Sequence, residues 1–169
     1  GLALPASDCI RGLLYHWGIQ FHHLNPNSIT HIFIFIHFCE AFLGIEPHFD
    51  LFCYFFHLLP QPSSDKQVVV GRVGLQFKQG NGKEYIKYKT PTNHSGWREL
   101  WFYIGNHQPA LAERTPWKAV QRPEWNETLT RSEMVQVTDL VLFISALKKM
   151  SVTGASVLLS MFKGRIQPL

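Results

Sequence analysis

The feature that most constrains this chain is a change of hydrophobic period at Gln61-Pro62-Ser63-Ser64. Before that break, apolar residues recur about every 3.6 positions, as on a helix with one buried face. After it they recur every second position, as on a strand with one buried face. Ser7 is placed to cap a helix carrying Ile10, Leu13, Leu14 and Trp17, and Gly18 to end it in the left-handed conformation. Asn25-Pro26 opens a second helix through Ile29, Ile32, Phe33, Ile36 and Phe42 to Gly44. The run Ile32-Phe33-Ile34-Phe35-Ile36 is also rich in strand formers, so a buried strand is the rival reading. The cap, the length and the terminal glycine favour a helix, apolar nearly all round and central in the core. Pro47 is expected to begin a third helix with Phe49, Phe52, Cys53 and Phe56 at helical spacing.

Beyond the break, Val73, Leu75 and Phe77 alternate with Arg72, Gln76 and Lys78. Gly80-Asn81-Gly82 is a turn signal, after which Ile86 and Tyr88 alternate with Tyr85, Lys87 and Lys89. With a third strand from Trp97 to Ile104, the segment predicts an antiparallel three-stranded meander. Residues 105–128 lack periodicity and read as loop with room for one short helix. Thr130 and Glu133 form a capping box for a helix with Val137, Leu140, Val141, Ile144 and Leu147 on one face. Lys148 and Lys149 complement its C-terminal dipole. Thr153 caps a last helix through Val157, Leu158 and Phe162 to Gly164. The expected architecture is therefore α+β, in a single domain over 1–169. It has an N-terminal helical bundle (1–60), antiparallel strands (61–104), and a loop with two C-terminal helices (105–169).

Composition narrows the class. Apolar residues are 46% of the chain and charged residues 17%, enough to bury a core. Three cysteines exclude a fully paired disulfide scaffold. No window approaches about 18 uninterrupted apolar residues, so no membrane span is expected. The expected location is inside the cell, in nucleus or cytoplasm. The opening without Met and the stop just after a helix-like segment suggest an excerpt of a longer protein. Asn93-His94-Ser95 and Asn126-Glu127-Thr128 match the glycosylation pattern, which such short patterns do by chance.

The charge is uneven. Residues 1–60 hold one Arg and four acids, a net of −3, whereas 61–169 carry a net of +7. Residues 66–98 are the densest part, with seven basic side chains and only Glu84 to oppose them. Such asymmetry hints at an anionic partner. If Val73, Leu75, Phe77, Ile86, Tyr88, Leu100, Phe102 and Ile104 face the helices, alternation fixes the other sheet face. That face would carry Arg72, Gln76, Lys78, Tyr85, Lys87, Lys89, Trp97, Trp101 and Tyr103. Cations beside flat rings suit single-stranded nucleic acid, the cations meeting phosphates and the rings stacking bases. The candidate nucleic-acid residues are Arg72, Lys78, Tyr85, Lys87, Lys89, Trp97 and Trp101. The bland alternative is that a later helix covers the large rings and the lysines form an ordinary solvated rim.

The other constellations are weak. The only four aspartates, Asp8, Asp50, Asp65 and Asp139, show no spacing expected of a two-metal nuclease. Cys53 and His57 lie four apart, but no Cys-x-x-Cys accompanies them, and a zinc site is not expected. His37, inside the most apolar helix, is expected to hydrogen-bond a backbone group or another side chain. Ser156 lacks a nucleophile elbow, and the glycines at 80–82 lack the Lys-Ser/Thr of a phosphate loop. The expectation is a protein without catalytic residues, metal, cofactor or small-molecule substrate.

Three blocks stand out: Arg11-Gly12-Leu13-Leu14, His22-His23-Leu24-Asn25-Pro26-Asn27-Ser28 and Phe38-Cys39-Glu40-Ala41-Phe42-Leu43-Gly44-Ile45-Glu46-Pro47-His48-Phe49. In these the chain resembles the plant gypsy-type transposon domain. Gly96-Trp97-Arg98, Trp101-Phe102-Tyr103, Thr153-Gly154 and Arg165-Ile166-Gln167-Pro168-Leu169 extend the resemblance. One departure is Glu99-Leu100, where a more basic pair would be expected between the tryptophans. The resemblance implies a plant host and a mobile-element origin, but no reaction. Two functions fit it: nucleic-acid handling, or assembly through protein–protein contacts and self-association. The second draws on the phenylalanine surplus of the helical half, which could exceed what one small core can hide.

Overall fold

A computed structural model describes residues 8–61, 70–89, 97 and 126–166. Helix α1 spans Asp8–Trp17 and buries Ile10, Leu13, Leu14 and Trp17, the stripe expected from its spacing. Gly18 ends it at φ 58°. Helix α2 spans Pro26–Phe38 and continues into a wider π-type turn, Cys39–Leu43, closed by Gly44 at φ 67°. Asn25 caps it by accepting from the Ser28 backbone N–H at 2.8 Å. Ile32, Ile34, Phe35, Ile36 and Phe38 are all buried, so the apolar run is the central helix and not a strand.

Helix α3 (Phe49–Phe55) passes without a loop into strand β1 (Phe56–Pro60). Strand β2 is Val73–Phe77, and it pairs antiparallel with β1, Phe56 opposite Phe77 and Pro60 opposite Val73. This corrects the three-stranded meander. The described sheet has two strands, and β2 finds its partner upstream, in residues assigned to the third helix. Phe56 therefore sits in a strand and not on a helix face. Residues 80–84 form a tight 3₁₀ turn, and 85–89 run on as irregular chain beside the core. The third expected strand falls outside the described residues except for Trp97.

Helix α4 spans Arg131–Lys149, and its Thr130–Glu133 capping box forms as expected. It buries Val137 and Ile144 and packs on α3. Helix α5 (Gly154–Met161) starts from a Thr153 cap, packs on α2 and ends in a π-type turn, Phe162–Ile166. The described part is thus predominantly helical, with one β-ribbon against the central helix.

Aromatic rings fill the space between ribbon and helices. Phe35, Phe52, Phe55, Phe56 and Tyr85 are at most 1% exposed. Phe52 and Phe56 stand 4.7 Å apart between ring centroids, as do Phe56 and Phe77. Each ring contributes a large apolar area, and the tilted and edge-on pairs add about 0.5–1.5 kcal/mol apiece. The expected phenylalanine surplus is therefore largely absorbed: Phe33, Phe42 and Phe49 are half-buried against the same core.

Polar tethers fix the ribbon to α2. Ser28 is fully buried; its hydroxyl accepts from the Leu75 N–H at 2.7 Å and donates to Asn25 at 2.8 Å. His31 and the Tyr88 hydroxyl share a hydrogen bond at 2.6 Å. His37 bonds Ser160 at 3.0 Å through Nε2 and accepts from Arg165 at 3.2 Å through Nδ1, in keeping with its place in an apolar helix. Arg165 also pairs with Glu40.

Candidate nucleic-acid interface

The sequence places seven lysines and arginines between residues 66 and 98, and the fold decides which of them meet. Beyond Phe77 the chain turns at Gly80, whose φ of 87° only glycine adopts easily. The turn carries Lys83 outward. The chain then folds back past Lys87 and Lys89 and runs beside the start of α5. The approach is close because residue 154 is glycine: a Cβ there would overlap the Lys87 carbonyl oxygen.

Between these segments lies an open groove of about 870 Å³. Lys78, Lys83, Lys87 and Lys89 line it, with Phe77, Tyr88 and Leu158 as apolar surface and the α5 N-terminus, Thr153-Gly154-Ala155, on one side. Lys83, Lys87 and Lys89 are exposed. Lys78 is held differently: it is half-buried, its ammonium donates to the Glu127 carbonyl, and burial lowers its pKa. The dipole of α5 adds partial positive charge on the groove side. Lys148 adds a further cation nearby, donating to the carbonyls of Lys83 and Glu84 at 3.0 and 3.2 Å.

Of the seven expected residues, the fold thus brings Lys78, Lys87 and Lys89 together. Tyr85 is corrected: it is 1% exposed and packs on Phe38 and Phe55, centroids 5.5 and 4.8 Å away. Its neighbour Ile86 is buried as well, because this stretch is not a strand and its side chains do not alternate across a sheet. Arg72 and Trp97 lie at the other end of β2, where the Trp97 ring packs against Gly71. Gly71 and Lys78 flank β2 at its two ends, seven positions apart, roughly 20 Å at about 3.3 Å per residue. Trp101 lies outside the described residues. Lys83 was missed because it sits in the turn; its position beside the glycine pair was the available signal.

The remaining chemistry is sparse. Among the described residues no three His, Cys, Asp or Glu side chains gather as metal ligands. Cys53 and His57 do not share a helix face, since α3 ends at Phe55. Burial pushes the Cys9 thiol up to about 11 and those of Cys39 and Cys53 to about 12, away from thiolate reactivity. A small polar cleft of about 70 Å³ lies between His16, Asp50, Cys53, Lys78 and Glu133, well below the volume of a pocket for a drug-sized ligand. No single helix among the described residues is long and apolar enough to cross a membrane.

The class these features define is a mostly helical domain with a lysine-walled groove at one end of a β-ribbon. Residues 1–60 match the family model described as "Putative gypsy type transposon". The resemblance to a gypsy-type transposon domain is shown over that stretch, which comprises α1 to β1. Neither the curated proteins nor the solved structures contain a match to this chain.

Proposed function

We propose that this is a non-catalytic domain of a gypsy-type transposon protein that binds single-stranded nucleic acid along the lysine groove. The observation that carries the reading is the convergence of exposed Lys83, Lys87 and Lys89 on one groove with an apolar, aromatic-bearing surface. Three ammonium groups neutralise neighbouring phosphates and release their counterions. Phe77 and Tyr88 offer ring surface, although Tyr88 is held by His31 and Phe77 by the core, so stacking is secondary to charge. An open groove with lysines, which act as point charges without the bidentate fork of arginine, favours sequence-tolerant binding.

The test is fluorescence anisotropy of labelled single-stranded RNA and DNA against the chain and its Lys87→Glu/Lys89→Glu variant. The expected result is binding by the parent chain that the double variant loses while its melting temperature stays the same. Equal binding by both would exclude the groove.

A further inference from the structure

We infer that the outer face of α4 is a self-association surface that pairs two copies of this chain through antiparallel α4 helices. The reading rests on α4 alone and is independent of the groove. Most core-facing helices hide their apolar side chains on one stripe. Helix α4 has two. Val137 and Ile144 face the core, flanked by half-buried Leu140, Val141 and Leu147. On the opposite side Val135 is 70% exposed and Leu142 63%, with Phe143 and Met150 exposed beside them.

The exposed stripe has a defined repeat. Val135, Asp139, Leu142, Ala146 and Lys149 follow one another at spacings of four, three, four and three. All five are exposed. That is the spacing of a seam on which one helix packs against another. Leu142 and Ala146 sit at its centre, the small alanine allowing close approach. The two charges on the seam choose the direction. In a parallel pair Asp139 would meet Asp139 and Lys149 would meet Lys149, both repulsive. In an antiparallel pair with its two-fold axis midway between Leu142 and Ala146, each Leu142 meets an Ala146. Each Asp139 then meets the Lys149 of the other copy, twice per dimer. Neither residue forms an ion pair among the described residues, so both are available. The arrangement is self-complementary, as a two-fold interface requires.

Sedimentation equilibrium of the 169-residue chain over a wide concentration range tests this, with circular dichroism as the check on folding. A dimer is expected, with Leu142→Glu leaving a folded monomer. Asp139→Lys, which sets lysine against lysine, should weaken the dimer about tenfold or more. Adding Lys149→Asp restores the pairing, a rescue that does not depend on the leucine variant. A parent chain that stays monomeric throughout overturns the inference, as does a dimer indifferent to Leu142→Glu or unrestored by the charge swap. A monomer that instead binds vesicles of anionic phospholipid through Leu142 would also overturn it, assigning the stripe to a lipid surface.

Discussion

Tyr85 shows how a single residue departs from its pattern. Alternation places it beside lysines on an open sheet face, yet it lies at the centre of the aromatic core. The reason is that Glu84–Lys89 never pairs as a strand, so Tyr85 and Ile86 turn the same way. Its hydroxyl is buried without a hydrogen-bond partner. A buried unpaired hydroxyl costs about 1–3 kcal/mol. Tyr85→Phe is therefore expected to raise unfolding free energy by about 1 kcal/mol in denaturant titration. A loss of that size would mean that the hydroxyl is satisfied.

Two histidines make stability depend on pH. Burial lowers His31 and His23 to about 4, and the charge of His22 also lowers His23. In the unfolded chain both take up protons as pH falls through about 6.5. In the folded chain they stay neutral until about 4. The unfolded state thus binds more protons in this window, and stability is lost progressively between about pH 6.5 and 4. Thermal unfolding should show a flat midpoint around pH 7 to 8, below the range where unfolded thiols ionise, and a falling one on the acid side. His31→Gln, which retains a partner for Tyr88, should flatten the acid limb. An unchanged limb would remove His31 from the account.

At the scale of elements, the helices were legible because each carries its own punctuation. Asn25-Pro26, Gly44, Thr130 with Glu133, and Thr153 act locally, and each does what its chemistry predicts. The ribbon was half legible. The period of two in Val73–Phe77 is real, but β1 hides in a run, Phe52–Leu59, whose apolar residues fit a helix and a buried strand alike. No glycine or proline marks the change at Phe55–Phe56; pairing with β2 decides it. The two glycines Gly12 and Gly154 separate helix propensity from packing. Nothing lies within 4 Å of a Cβ at Gly12, so Gly12→Ala should stabilise by about 0.5–1 kcal/mol. Gly154→Ala meets the Lys87 backbone and should destabilise by about 1–3 kcal/mol. Thermal melts of both variants decide this, and a stabilised Gly154→Ala would mean that 85–89 is not anchored on α5.

At the scale of the molecule, the residues that match the gypsy-type transposon model supply α1 to α3 and β1, half of the ribbon and most of the aromatic core. The groove is built from residues downstream of that stretch. Its lysines were legible as a charge bias, because net charge needs no fold to be counted. Which lysines converge was not legible, because that depends on a turn at Gly80 and on α5 arriving from about 70 residues downstream. The same limit hid the placement of Trp97 against Gly71, beside Arg72 at the far end of β2.

The central claim is that Lys83, Lys87 and Lys89 act as one phosphate-binding set. The most direct measurement is the salt dependence of affinity for a single-stranded oligonucleotide, compared between the chain and a Lys83→Glu/Lys87→Glu/Lys89→Glu variant. Three phosphate contacts predict a slope of about −2 in log affinity against log salt for a single strand. The triple variant should lose that dependence together with the binding. A parent chain whose affinity is indifferent to salt, or a triple variant that keeps the parent's slope, would contradict the account.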